Sequence, residues 1–148
     1  MPDQPLRILL ADDQENDRIL FVDALNELKT KSIIHTVNDG EELMEYLTNP
    51  DNSLPQLLFL DLNMPRKNGI ECLKEIRANN KLHDIAIAIF STSLAEKDIE
   101  ETLVSGANVY LNKPTSFDAL KQALNKVVVT AASYQNTFFN KANFLLRL

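Results

Sequence analysis

A chain of 148 residues matches one domain of about 150 and leaves no room for a second. Its 15 Lys and Arg against 21 Asp and Glu give a net charge of −6, which excludes the basic footprint that nucleic acid or an anionic membrane would require. The lone Cys72 excludes an internal disulfide, no apolar stretch approaches the roughly 18 residues of a membrane span, and Met1-Pro2-Asp3-Gln4 lacks a signal peptide's basic and apolar regions, so a soluble, cytoplasmic domain is expected.

In chain order, Leu6–Ala11 reads as a strand that stops at Asp12-Asp13, and a helix follows to about Leu28 with Phe21, Leu25 and Leu28 on one face. Ser32–Val37 is a second short strand. Asn38-Asp39-Gly40 punctuates before a helix over Glu41–Leu47, and the Pro- and Asn-rich Asn49–Pro55 is a loop. Leu57–Leu60 is apolar without alternation, the pattern of a strand buried on both faces, and it ends at Asp61. Asn68-Gly69 opens a helix carrying Ile70, Leu73 and Ile76. Ala86–Phe90 is a fourth strand ending in Ser91-Thr92-Ser93; Ile99 and Leu103 mark a helix that Gly106 closes. Val109–Leu111 precedes Asn112-Lys113-Pro114. Ser116 is the expected N-cap of a last helix striped by Phe117, Leu120, Leu124 and Val127.

Five βα units imply an α/β fold with an open, doubly wound parallel sheet and helices on both faces; a (β/α)₈ barrel needs about 250 residues and is excluded. Residues 1–132 form this domain. The extension 133–148 holds Tyr134, Phe138, Phe139, Phe144, Leu145, Leu146 and Leu148, too apolar for a solvated tail, and is expected to dock on the chain's own body or on a second copy.

Ligands of open α/β sheets bind beyond the carboxyl ends of the strands. There the first strand delivers Asp12 and Asp13, the third Asp61, the fourth Ser91 and the fifth Lys113. Crowded carboxylates repel unless a cation neutralises them, and hard oxygen ligands with few protein contacts suit Mg²⁺. An ammonium and a hydroxyl beside them complete a site for a phosphoryl group, with an Asp as the nucleophile. Any one of these features alone is more often a turn or a cap; their joint placement at four strand ends reverses that.

Ile8-Leu9-Leu10-Ala11-Asp12-Asp13, Leu60-Asp61-Leu62-Asn63-Met64-Pro65 with Gly69, Ser91, and Gly106 through Pro114 together resemble the receiver domain of bacterial response regulators. The resemblance spans about Leu6 to Val129 and implies a flavodoxin-like, five-stranded sheet of order 2-1-3-4-5, as the family's chemotaxis regulator shows. It implies that Asp61 is the phosphoacceptor, that Asp13 and Asp61 hold Mg²⁺ directly, Asp12 through water and Asn63 through its carbonyl. Ser91 and Lys113 follow the phosphoryl group, Thr92 borders it where a smaller residue is usual, Tyr110 changes rotamer on activation, Gly69 is structural, and Pro114 follows a cis peptide. A stand-alone switch is implied, not a turnover enzyme. It would be loaded by a sensor histidine kinase or phosphotransfer protein, read by a downstream protein target, and be a monomer or weak homodimer. Two other readings compete: a pseudo-receiver scaffold that is never phosphorylated, and a haloacid-dehalogenase-like phosphatase, whose second Asp is replaced here by Asn63.

His35 and His83 read as surface residues, Cys72 as a small buried hydrophobe, and Glu41-Glu42 and Asp98-Glu100-Glu101 as solvated helix faces.

Overall fold

A computed structural model describes residues 4–133 and 146–147. The strands are β1 Leu6–Ala11, β2 Ser32–Val37, β3 Leu57–Leu60, β4 Ala86–Ser91 and β5 Val109–Asn112. The helices are α1 Glu15–Asn26, α2 Gly40–Thr48, α3 Gly69–Ala78, α4 Glu96–Val104 and α5 Phe117–Ser133. The sheet is parallel, in the order β2-β1-β3-β4-β5. A two-residue strand, β6 Leu146–Arg147, extends it in parallel beside Val109 and Tyr110 of β5. The rest of the extension, including Phe138, Phe139 and Phe144, lies outside the described residues.

The central strands carry no polar face because both faces are covered. Alternate residues point to opposite sides. Leu9, Ala11, Leu58, Leu60, Ile87, Ile89 and Tyr110 pack with Leu43, Leu73 and Ile99 on the side of α2, α3 and α4. Ile8, Leu10, Phe59, Ala88, Val109 and Leu111 pack with Phe21, Leu25, Leu124 and Val127 on the side of α1 and α5. Phe21 meets Phe59 edge-on at 4.9 Å between ring centroids, a favoured aromatic geometry. Cys72 is buried in the first of these layers, as its place beside the helical stripe predicts.

The helix starts are set by local chemistry. Asn68 and Glu71 form a reciprocal capping box on α3, and Ser116 Oγ accepts from Ala119 N–H at α5. Asp39 caps α2 by accepting from Glu42 N–H, while the Glu42 carboxylate reaches back to Asn38 N–H; Glu42 is therefore more than a solvated face. After α4, Gly106 takes φ +113°, the left-handed region where glycine has no steric cost. At Gly69 the constraint is space: a Cβ there would lie 2.4 Å from the Asp61 carbonyl oxygen, so glycine lets α3 start against the end of β3.

One expectation drawn from the resemblance is corrected. The peptide before Pro114 is trans, and no described peptide bond is cis; trans is the lower-energy X–Pro isomer by about 0.5–1 kcal/mol.

Candidate phosphoryl site

Strand register aligns the site. Ala11 of β1 pairs with Leu60 of β3, and Leu60 with Ile89 of β4, so Asp12 and Asp61 leave adjacent strands at one level. Asp61 N–H donates to the Ala11 carbonyl, Asp12 N–H to that of Val37, and Lys113 N–H to that of Ser91. These ladder bonds carry the sheet one residue past its core and hold the polar side chains on a rigid edge. Asp12 also organises α1: its Oδ1 accepts from Gln14 N–H and its carbonyl from Arg18 Nη1.

Asp12, Asp13 and Asp61 each offer a carboxylate oxygen within 4.8 Å of the others. Asp12 and Asp61 are buried and Asp13 is half-buried. Lys113 Nζ lies 2.8 Å from Asp12 Oδ2 and 3.6 Å from Asp61 Oδ2. Burial, more than the neighbouring carboxylates of Asp12 and Asp13, pushes the Asp61 carboxyl up from 3.8 to about 6; Lys113 and the Asn63 N–H work the other way. For Lys113, burial disfavours the charge, but its hydrogen bonds to Asp12 and Asp17 outweigh that and hold the ammonium protonated above its ordinary range. Three carboxylates of this hardness around one point fit a divalent cation that keeps part of its water shell; Asp12, Asp13 and Asp61 are the residues that would hold it.

The structure brings Ser91 to the same edge, buried, with its Oγ accepting from Ser93 N–H at 3.1 Å. Thr92 follows it, exposed. Asn63 is exposed beyond β3, its N–H 3.4 Å from Asp61 Oδ1. Tyr110 and Lys113 lie on opposite faces: Lys113 Nζ sits 5.3 Å from the centre of the Phe90 ring, whereas Tyr110 is buried on the α4 side with its hydroxyl donating to the Ser93 carbonyl at 3.0 Å.

Several residues escaped the reading of the sequence. Asp17 of α1 hydrogen-bonds Lys113 at 2.9 Å; its only sequence signal is its position one turn into the helix after Asp13. Ser93 Oγ donates to Asp98 at 2.6 Å and Asn112 Nδ2 reaches the Ser91 and Ser93 carbonyls, so Asp98 anchors the β4–α4 loop rather than only facing water. Arg77 donates to the carbonyls of His83, Ile85 and Gly106 and to Asn108 Oδ1, and burial lowers its guanidinium to about 10. His35 is exposed and stacks on Tyr46 at 4.4 Å, and His83 lies beside Asp84; neither belongs to the group that could share a cation, which is Asp12, Asp13 and Asp61.

Comparison with known proteins bears on this geometry directly. The sequence pattern of the response regulator receiver domain matches residues 8–125. The chain belongs to the response regulator receiver family. The receiver is 31% identical over 124 residues to a probable chemotaxis protein CheY of Rhizobium etli, covering 84% of this chain and 93% of that protein. The crystal structure of the phosphorylated cyanobacterial phytochrome response regulator RcpA superposes with a TM-score of 0.80 at 30% identity, over 93% of this chain and 98% of that one. The Mn²⁺-bound form of the response regulator Rcp1 gives 0.77 at 29%, over 83% and 91%. The receiver thus has a two-component signalling fold and an acidic pocket of the divalent-cation type. Among its described residues no helix is long and apolar enough to cross a membrane.

Proposed function

We propose that this receiver is a phosphorylation switch that accepts a phosphoryl group on Asp61 from a phosphohistidine of a sensor histidine kinase or phosphotransfer protein, with Mg²⁺, and signals by binding a downstream protein. The observation that carries the reading is the buried Asp61, central to Asp12, Asp13 and Lys113 at the carboxyl edge of the sheet. The phosphorylated RcpA and the Mn²⁺-bound Rcp1 support it as relatives of the same fold.

An Asp61 Oδ attacks phosphorus, the O–P bond forms, the P–N bond to the donor imidazole breaks, and the electron pair stays on the ring nitrogen. With its pKa at about 6, Asp61 is mostly ionised at neutral pH and so competent as a nucleophile. Mg²⁺ held by Asp12, Asp13, Asp61 and the Asn63 carbonyl would supply charge for the transferring oxygens. Lys113 offers a further N–H, and Ser91 has a hydroxyl proton to donate. Thr92 stands at the rim and narrows the approach.

Signalling follows from what Ser91 gives up. When its hydroxyl turns to a phosphoryl oxygen, Ser93 N–H loses its acceptor, and the loop that holds the Tyr110 hydroxyl and Asp98 rearranges. Asp61 and the face of α4, β5 and α5 are two sites biasing one element. In this reading the protein is not a turnover enzyme; it works in the cytoplasm as a monomer or weak homodimer. Residues 1–132 are the switch and 133–148 its extension, of which Leu146–Arg147 pairs with β5.

Incubation with Mg²⁺ and acetyl phosphate, followed by intact mass measurement, tests the reading. A persistent gain of one phosphoryl group, lost in Asp61→Asn, is expected. Hydrolysis of p-nitrophenyl phosphate with turnover would favour a phosphatase, and no modification a pseudo-receiver scaffold.

A further inference from the structure

Lys113 is held by more than its role toward Asp61 requires. Its Nζ hydrogen-bonds Asp12 Oδ2 at 2.8 Å and Asp17 Oδ2 at 2.9 Å, while Asp61 Oδ2 stands at 3.6 Å, outside hydrogen-bond distance. An ammonium has three N–H donors, so two of them face carboxylates other than the phosphoacceptor. The two anchors differ. Asp12 is fully buried at the end of β1, whereas the Asp17 side chain is 35% exposed on the first turn of α1. Asp17 also lies outside the set of carboxylates that could share a cation, so cation binding leaves its hold on Lys113 in place.

We propose that Asp17 is a positioning residue for phosphoryl chemistry: it retains the Lys113 ammonium on the α1 side of the pocket, and phosphorylation of Asp61 must draw Lys113 away from it. The inference rests on the phosphoryl-switch reading above. New negative charge on Asp61 competes with Asp17 for one ammonium, and the Asp12 contact acts as the pivot. Moving Nζ toward a phosphoryl oxygen lengthens the Asp17 contact and frees the start of α1 from the end of β5. A partly exposed pair is suited to this, because water stabilises the released carboxylate. By linkage, whatever phosphorylation spends on breaking the contact is subtracted from the site's affinity for a phosphoryl group.

The test uses the full-length protein with two probes, MgCl₂ and beryllofluoride, a phosphoryl mimic that loads onto an aspartate in the presence of Mg²⁺. Asp17→Asn and Asp17→Ser both remove the retaining charge. Each is expected to tighten beryllofluoride binding at saturating Mg²⁺ by about two- to five-fold, the range of a partly exposed ion pair. Each should at the same time weaken Mg²⁺ binding, since one anion is lost and the freed ammonium shifts toward Asp61. A variant that merely loosened α1 would weaken both. Glu15→Gln, which removes an exposed carboxylate from the same helical turn, should change neither affinity by as much. Unchanged or weaker beryllofluoride binding in the Asp17 variants overturns the inference, as does an equal gain in Glu15→Gln, which would mark a general charge effect. If the unaltered protein does not bind beryllofluoride, the phosphoryl reading itself fails and takes the inference with it; if it binds and the Asp17 variants match it, only the role of Asp17 falls.

Discussion

Asp61→Asn should make the cation-free protein more stable, and the gain should depend on pH in a defined direction. Burial raises the Asp61 pKa from 3.8 to about 6, so the folded state binds a proton that the unfolded chain releases near its ordinary value. Between those two values the native state holds more protons than the unfolded one, and stability falls as pH rises through the window. Above about pH 6 the loss is complete. The full shift corresponds to about 3 kcal/mol at roughly 1.4 kcal/mol per unit. Water at the half-exposed Asp13 side of the pocket screens the charge, and we take about 1–2 kcal/mol as the realised cost. Asparagine is nearly isosteric and its oxygen can still accept from Asn63 N–H, while Lys113 keeps Asp12 and Asp17. The variant should therefore exceed the parent by about 1–2 kcal/mol at pH 7.5, or about 3–8 °C in Tm for a domain of this size. Most of that margin should vanish at pH 4, where Asp61 in the native parent is protonated. Urea unfolding in EDTA at the two pH values decides it. A variant no more stable than the parent at pH 7.5, or one whose margin is the same at pH 4, would refute the electrostatic account of the site.

Lys113→Met should destabilise the cation-free protein by about 3 kcal/mol at neutral pH, because Asp12 is left as a buried charge without its ammonium, and Mg²⁺ should restore much of the loss; a change below about 1 kcal/mol in urea unfolding would contradict this. Tyr110→Phe removes the bond to the Ser93 carbonyl and should cost about 1 kcal/mol. If that bond breaks on activation, the variant should also bind beryllofluoride more tightly by a matching factor of about five, whereas an unchanged affinity on titration would uncouple Tyr110 from the switch. Arg77→Met strips partners from three backbone carbonyls and should cost about 2–4 kcal/mol while leaving Mg²⁺ affinity as it was, since no carboxylate of the site touches Arg77; a weakened Mg²⁺ titration would show otherwise.

The strands were legible because their physics is local. β1, β2 and β3 begin and end where the segments Leu6–Ala11, Ser32–Val37 and Leu57–Leu60 do, and of these Leu57–Leu60 is apolar and buried throughout. A strand buried on both faces leaves no polar position inside the run, and the first polar residue after it marks the sheet edge. The same reasoning placed Asp12, Asp13, Asp61, Ser91 and Lys113 together, because parallel strands deliver their carboxyl ends to one side. The helix starts at Asn68 and Ser116 were legible too, since a cap acts within one helical turn. Only the tertiary structure decided which charges meet. Asp17 and Lys113 are 96 positions apart, and nothing in either neighbourhood marks the pair; their contact follows from α1 packing beside α5 on the sheet face that carries Phe59 and Phe90. Arg77 reads as an ordinary solvent-facing helix residue until the turns before β4 and β5 close over it with carbonyls to satisfy. The trans peptide before Pro114 and the pairing of β6 with β5 are of the same kind. Each depends on the free energy of surfaces brought together by the fold, and a one-dimensional pattern records only what a residue does to its own turn or strand.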